Sequence, residues 1–361
     1  MSSEQYRVLC SAPGRAGIIG NPTDMYGGAV LSCSVGLRAR VAITQTSRTE
    51  TVSAGSIPDL LLEAAGQECR IVSRKDLHPR GDVFDLARAV LDYLRLPPLA
   101  CCVQYDSEIP LKSGMAGSTA LVVALLNALL VWQGKRSNLY RLAERARYVE
   151  LNYLKVVCGY QDAYMCTFGG VNYMDFGGKQ FYRQAESELF ATIEPLAPYV
   201  SRLPFVLAFT GVQHASSAVH KPLRERWLEG EPAVVEGYKR ITEIARLGKK
   251  ALILEDWPQL GRLMNENHEI QRDLGGSGES NERLVAAALR AGAPGAKLAG
   301  AGDGGTIIAL WPWPNSSPLE KALLEAGASA LYRPEVAPGV ILEAENANVP
   351  HESCLQSSMD A

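Results

Sequence analysis

Between Pro110 and Ala120 the chain reads Pro-Leu-Lys-Ser-Gly-Met-Ala-Gly-Ser-Thr-Ala and runs directly into Leu121–Trp132, a stretch polar only at Asn127. A helix apolar on every side has to be buried, so the fold must close around this segment. The glycines ahead of it let backbone N–H groups turn toward a ligand, and the helix N-terminus adds partial positive charge. The hydroxyls of Ser113, Ser118 and Thr119 are then in reach of a phosphate oxygen or its metal ion, which makes a nucleotide triphosphate the natural ligand. The common P-loop, G-x-x-x-x-G-K-[ST], is excluded: no lysine follows Gly117, and Gly114 and Gly117 stand too close together. A plain Gly-Ser turn capping a core helix stays open on this segment alone.

With 361 residues the chain exceeds what one hydrophobic core usually serves, and two lobes are expected. Proline-rich sequence near 185–203 suggests the boundary, giving domains over residues 1–190 and 204–345 and a tail over 346–361. A net charge of -3 offers no general attraction to nucleic acid or to an anionic membrane. The apolar stretch is too short to span a bilayer and the start has no signal pattern, so a cytoplasmic protein is expected. The eight cysteines form no C-x-x-C pair, which favours reduced, buried thiols over zinc or disulfides.

Taken in order, Tyr6–Cys10 reads as a strand leading into Ala12-Pro-Gly-Arg15 through Gly28, a segment rich in glycine and proline, with Arg15, Asn21 and Asp24, that is expected to be a polar loop. An Arg15–Asp24 pair is the purely structural alternative. Strands follow at 29–34, 37–46, 49–53 and 69–74, and a helix over 83–96. A second helix is expected from an N-cap at Ser137 to Gly159. Near its end stand Glu150 and Asp162, and a carboxylate just past a glycine can project as a base or metal ligand. After a strand at 205–209 come a polar loop with His214 and a basic helix carrying His220, Lys221, Arg224 and Arg226. Helices over 232–247, 256–273 and 280–291 precede Gly295–Gly305. That glycine run formally fits G-x-G-x-x-G, yet it joins strand to strand and therefore is not a dinucleotide fingerprint.

The Pro-Gly-Arg segment, the Pro110–Ala120 loop and the late run Lys297–Gly305, in this order, make nearly the whole chain resemble the GHMP kinases, in the sugar 1-kinase branch. Gly20-Asn-Pro-Thr-Asp24, Gln161-Asp162 with Phe168-Gly-Gly, and His220 with Arg224-Glu-Arg-Trp227 look most like glucuronokinase. Asn21-Pro22 stands where galactokinase-like members have Glu-His, which argues against galactose. The resemblance implies an α/β (α+β) fold of two lobes, an N-terminal mixed lobe with a left-handed βαβ crossover and a C-terminal ferredoxin-like lobe. It implies ATP and Mg2+ as cofactors and a sugar as acceptor, with phosphoryl transfer to the anomeric hydroxyl. Pro110, Ser113, Gly114, Met115, Ala116, Gly117, Ser118 and Thr119 would hold the phosphates, and Ser118 (or Thr119) with Glu150 the metal. Asp162, aided by Arg15, would take the acceptor proton. Arg15, Asn21, Asp24, Asp162, His214, Gly302 and Gly304 would surround the sugar. Heptose phosphate or fucose kinases are neighbouring readings, and a non-catalytic sugar sensor is the rival class.

Overall fold

Strands β1 (Val8–Ile19) and β2 (Ala29–Gln45) pair antiparallel and organise a mixed sheet. In a computed structural model, residues 8–45, 60–96, 100–110, 112–179, 189–212, 216–300 and 302–345 are described. On one side of β2 the sheet continues through β5 (Cys101–Ser107), β3 (Leu60–Ala64) and β4 (Gln67–Ile71). Farther along β2, β6 (Val171–Asp175) and β7 (Thr192–Pro195) extend it. The last strand, β12 (Ile341–Glu345), pairs with β1. β3 and β5 are parallel and are connected through β4 and α1 (Asp85–Leu94).

Every residue of β1 is buried, because helices cover both faces of this sheet. On one side lie α2 (Gly117–Trp132) and α4 (Gln161–Phe168), on the other α6 (Pro232–Ile253) and α7 (Trp257–Asp273). The apolar α2 is buried as expected, wrapped by β1, β2, α1, α4 and α3 (Leu139–Asn152).

A second sheet, β11 (Ala330–Tyr332)–β8 (Phe205–Phe209)–β10 (Thr306–Leu310)–β9 (Gly295–Leu298), is antiparallel throughout. Its central strands are buried on both faces, as their unbroken apolar runs require. Leu207, Ile308 and Leu310 join the main core, whereas Val206, Ala208, Ile307 and Ala309 pack with residues of α8 (Glu279–Arg290) and α9 (Ser317–Glu325). Helix α5 (Ser216–Leu228) packs on α6.

Several elements differ from the sequence reading. Ala12-Pro-Gly-Arg15 is strand, not loop: a Cβ on Gly14 would stand 2.8 Å from the Met115 carbonyl, and one on Gly17 2.7 Å from Asn21 Oδ1. These glycines admit close neighbours into a sheet. The chain turns only at Gly20, whose φ of +104° suits glycine, followed by the short 3-10 helix Thr23–Tyr26. Strands 29–34 and 37–46 fuse into β2, and the strand expected at 69–74 ends at Ile71, a 3-10 turn occupying Arg74–Leu77. The cap of α3 is Asn138, not Ser137, its side chain accepting from Arg141 N at 2.8 Å, and α3 stops at Asn152. Asp162 lies in the first turn of α4, a short helix for which the sequence reading set out no element. The terminal strand β12, grouped by sequence with the second lobe, belongs to the first sheet. The strand expected at 49–53 and the tail 346–361 lie outside the described residues.

Candidate active site

The three glycine-rich stretches meet one another through backbone. Arg15 N donates to the Met115 carbonyl at 3.1 Å, and Gly17 N to the Ala299 carbonyl at 3.0 Å. Thr306 Oγ1 donates to the Ser113 carbonyl at 2.8 Å. A Cβ on Gly300 would lie 2.7 Å from the Gly114 carbonyl oxygen, so glycine is what lets these two loops touch. Gly114 (φ +73°) and Ala116 (φ 62°) are left-handed, and they bend the chain sharply into the N-terminus of α2.

Arg15, 6% exposed, spends its guanidinium on this junction. Nε and Nη2 reach Asp162 Oδ1 at 2.7 and 2.6 Å, and Nη1 donates to the Gly114 carbonyl. The alternative Arg15–Asp24 pair does not form: Asp24 Oδ2 instead accepts from Tyr160 N at 2.7 Å and Gln161 N at 2.9 Å, at the start of α4. Burial drives the Asp24 carboxyl up to about 6 against the opposing pull of those N–H groups. Glu150, also buried, accepts from Thr119 Oγ1 at 2.7 Å, and desolvation pushes it up to about 8. Arg15, Asp24, Ser118, Glu150, Asp162 and Gly300 all line one cavity.

The Asp24 shift carries a sign. A carboxyl whose folded pKa is raised binds its proton more tightly folded than unfolded, so stability falls as pH climbs from about 4 to about 6 and the full penalty stands above that. Asp24→Asn keeps an oxygen for the two N–H donors and removes the charge. Urea denaturation is expected to find this variant more stable than wild type at pH 7.5, by something on the order of 2 kcal/mol, with the gain gone near pH 4. A difference independent of pH would contradict this electrostatic account of Asp24.

The other residues singled out by sequence divide. Within the glycine-rich loop ahead of α2, Ser118 and Thr119 line the cavity, Pro110 leads into the loop, and the Ser113 and Met115 side chains are buried. Gly117 opens α2. Asn21 lines the cavity, but its amide is spent on Lys297 and the Gly300 carbonyl. Gly302 packs against the loop at Gly276, and Gly304 exchanges two hydrogen bonds with the Asn281 side chain, so of the late run it is Gly300 that lines the cavity among the described residues. His214 lies outside the described residues. Arg226 is paired with Glu231 at 2.7 Å, while Arg224 is near enough to act electrostatically on the Tyr26 hydroxyl, at the end of the Thr23–Tyr26 turn. Sequence reasoning missed the 156–159 segment and Gln161, which wall the cavity. Gly159 was the available signal: a Cβ there would sit 1.9 Å from Asp24 Oδ2.

Among the described residues no group of three or more His, Cys, Asp or Glu side chains could hold a metal by itself. The seven described cysteines are free thiols, and no described helix is long and apolar enough to cross a membrane.

Comparison with known proteins fits this arrangement. The family model for the GHMP kinases N terminal domain matches residues 83–170, and that for the GHMP kinases C terminal region matches 249–331. The galactokinase galactose-binding signature matches residues 2–45. Glucuronokinase 1 of Arabidopsis thaliana is 27% identical over 323 residues, 86% of each chain. A mevalonate kinase of Methanothermobacter thermautotrophicus is 26% identical over 303 residues, 84% of this chain and 89% of that one. The solved Lactococcus lactis galactokinase, complexed with galactose, superposes with a TM-score of 0.74 at 17% identity, covering 94% of this chain and 96% of its own. The matched segments carry the same three loops that converge on the cavity, and the chain accordingly belongs to the GHMP kinases, a family of ATP-dependent phosphotransferases.

Proposed function

We propose that the protein transfers the γ-phosphoryl group of Mg-ATP to the anomeric hydroxyl of a sugar, D-glucuronate being the best candidate. The observation that carries this reading is the placement of an Arg15–Asp162 pair in the same cavity as the helix-terminal hydroxyls of Ser118 and Thr119 and the buried Glu150. Phosphoryl transfer asks a protein chiefly for alignment and charge neutralisation. The 113–119 loop supplies backbone N–H groups and a helix N-terminus for the phosphates. Both Arg15 contacts fall on Asp162 Oδ1, which leaves Oδ2 to receive the acceptor proton as the anomeric oxygen bonds to phosphorus and the β–γ bridging oxygen leaves with ADP. The Arg15 guanidinium, next to Gly114, neutralises charge between the two reactants.

The donor set suits Mg2+, a hard cation that takes one or two carboxylates, a hydroxyl and substrate phosphates. Glu150 with Ser118 or Thr119 would hold it, and when bound it neutralises phosphate charge. Burial pushes the Glu150 carboxyl up to about 8 with the Thr119 hydroxyl donating to it, and a cation held beside it would offset that desolvation.

Support for a hexuronate comes from the Gly20-Asn-Pro-Thr-Asp24 loop, from the glucuronokinase relatives and from cations beside the acceptor loop, Arg15 within the cavity and Arg224 near Tyr26. A neutral sugar is the second reading, favoured by the match to the galactose-binding signature. Steady-state kinetics with glucuronate and glucose separate the two. Wild type should prefer glucuronate, and Arg224→Ala should lose about 1.5–3 kcal/mol in kcat/KM for the acid with little change for glucose. Equal use of both sugars by wild type would remove the uronate assignment and leave a neutral-sugar kinase.

A further inference from the structure

Lys297, in the middle of β9, is 1% exposed and has no carboxylate within ion-pair distance among the described residues. Its Nζ donates to Asn21 Oδ1 at 2.7 Å and to the Leu298 carbonyl. Asn21 in turn donates from Nδ2 to the Gly300 carbonyl at 3.0 Å and, more weakly, to that of Leu298 at 3.5 Å. The Lys297 ammonium donates to the Asn21 oxygen, which turns the amide nitrogen toward the Gly300 carbonyl. Asn21 begins the segment that carries Asp24, and Asp24 receives the first N–H groups of the helix bearing Asp162. Gly300, at the other end of the link, lies against Gly114 of the phosphate loop.

We propose that Lys297 is a positioning residue which, through Asn21, fastens the acceptor loop to the late glycine loop and so keeps the acceptor hydroxyl aligned with the phosphoryl group. The inference rests on the phosphotransfer reading but not on which sugar is the acceptor. Nothing about strand packing asks for a charge at this site. A side chain of similar length without charge would fill it, whereas an unpaired buried cation costs stability. The cost is visible as a lysine pushed down to about 7, first by burial and then by Arg15. The titratable and charged groups around it are Arg15 on β1, His268 on α7, whose ring burial pushes toward the neutral form, and, 2.9 Å from that ring, Glu282 on α8.

Lys297→Met tests this, because loss of a scaffold residue and loss of a positioning residue give opposite results. The variant is expected to lower kcat/KM for the acceptor by roughly 10–100-fold with the KM for ATP within about 3-fold of wild type, the range for a misplaced reactant. Its Tm at pH 6 should equal or exceed that of wild type. Between pH 7 and about 10 the unfolded chain holds a proton on Lys297 that the folded one has released, so wild-type stability rises with pH there and the advantage of the variant should shrink by pH 9. Asn21→Ala should show the same kinetic split with the lysine intact, and the double variant should be no worse than the worse single one. Should Lys297→Met fail to fold, the kinetics of Asn21→Ala decide.

Hydrogen–deuterium exchange reads the tether without any acceptor: segments 20–26 and 298–305 are expected to exchange faster in either variant than in wild type. Unchanged exchange there, acceptor kinetics within about 3-fold of wild type, or activity falling in step with Tm in both variants would overturn the proposal. A wild type that releases no ADP with any sugar would count against the phosphotransfer reading, and exchange would still decide the tether.

Discussion

Asp162→Ala is expected to lower kcat by roughly 10²–10⁴-fold while nucleotide affinity changes little, the signature of a removed proton acceptor. Asp162 touches Arg15 and lines the cavity, and it reaches the 113–119 loop only through the Arg15 contact to the Gly114 carbonyl, while the Thr306–Ser113 contact is independent of it. The measurement is a pair of values: kcat from coupled ADP release, and the dissociation constant of a non-hydrolysable ATP analogue. Near wild-type turnover would mean that the carboxylate serves only to hold Arg15 in place. Loss of nucleotide affinity equal to the loss of kcat would instead place it in nucleotide binding.

Gly300→Ala should produce the opposite pattern. Its Cβ would meet the Gly114 carbonyl at 2.7 Å and the Gly114 Cα at 3.2 Å, and both are backbone atoms that no side-chain rotation can move aside. The late loop would be driven off the phosphate loop, and the Arg15 contact to the same carbonyl would be disturbed. Nucleotide affinity is expected to fall by about 10–100-fold, or roughly 1.4–2.8 kcal/mol, as measured by titration calorimetry. Wild-type affinity in this variant would show that the two loops separate without consequence and that the phosphate site does not depend on their contact.

The long apolar helix α2 and its glycine approach were legible because burial on all sides and left-handed backbone each leave a mark in composition. The strand-to-strand nature of the 300–305 run followed from Thr306–Leu310, which has no polar face and too few residues for a helix. Legibility failed where glycine has two uses. In β1, Gly14 and Gly17 leave space for Met115, Asn21 and Ala299, and local sequence cannot distinguish that from turning the chain. It failed again at Asp162, since α4 is short, carries no side-chain cap of its own, and receives its capping oxygen from Asp24, far off in sequence. The Asn21 side chain was read as facing a sugar, but its oxygen and nitrogen are committed to Lys297 and Gly300, partners supplied by the other lobe. Lys297 itself sits in an otherwise apolar strand, and only burial reveals it as more than a surface charge.

Where the phosphate goes is the most direct test of anomeric phosphotransfer. Phosphorus-31 NMR of the product formed from ATP, Mg2+ and D-glucuronate is predicted to show a new sugar phosphate signal coupled to the anomeric proton, with formation abolished by EDTA and by Asp162→Ala. A phosphate coupled to any other sugar proton, or tight ATP binding with no phosphorylated product from any uronate, hexose, pentose or heptose phosphate, would contradict it.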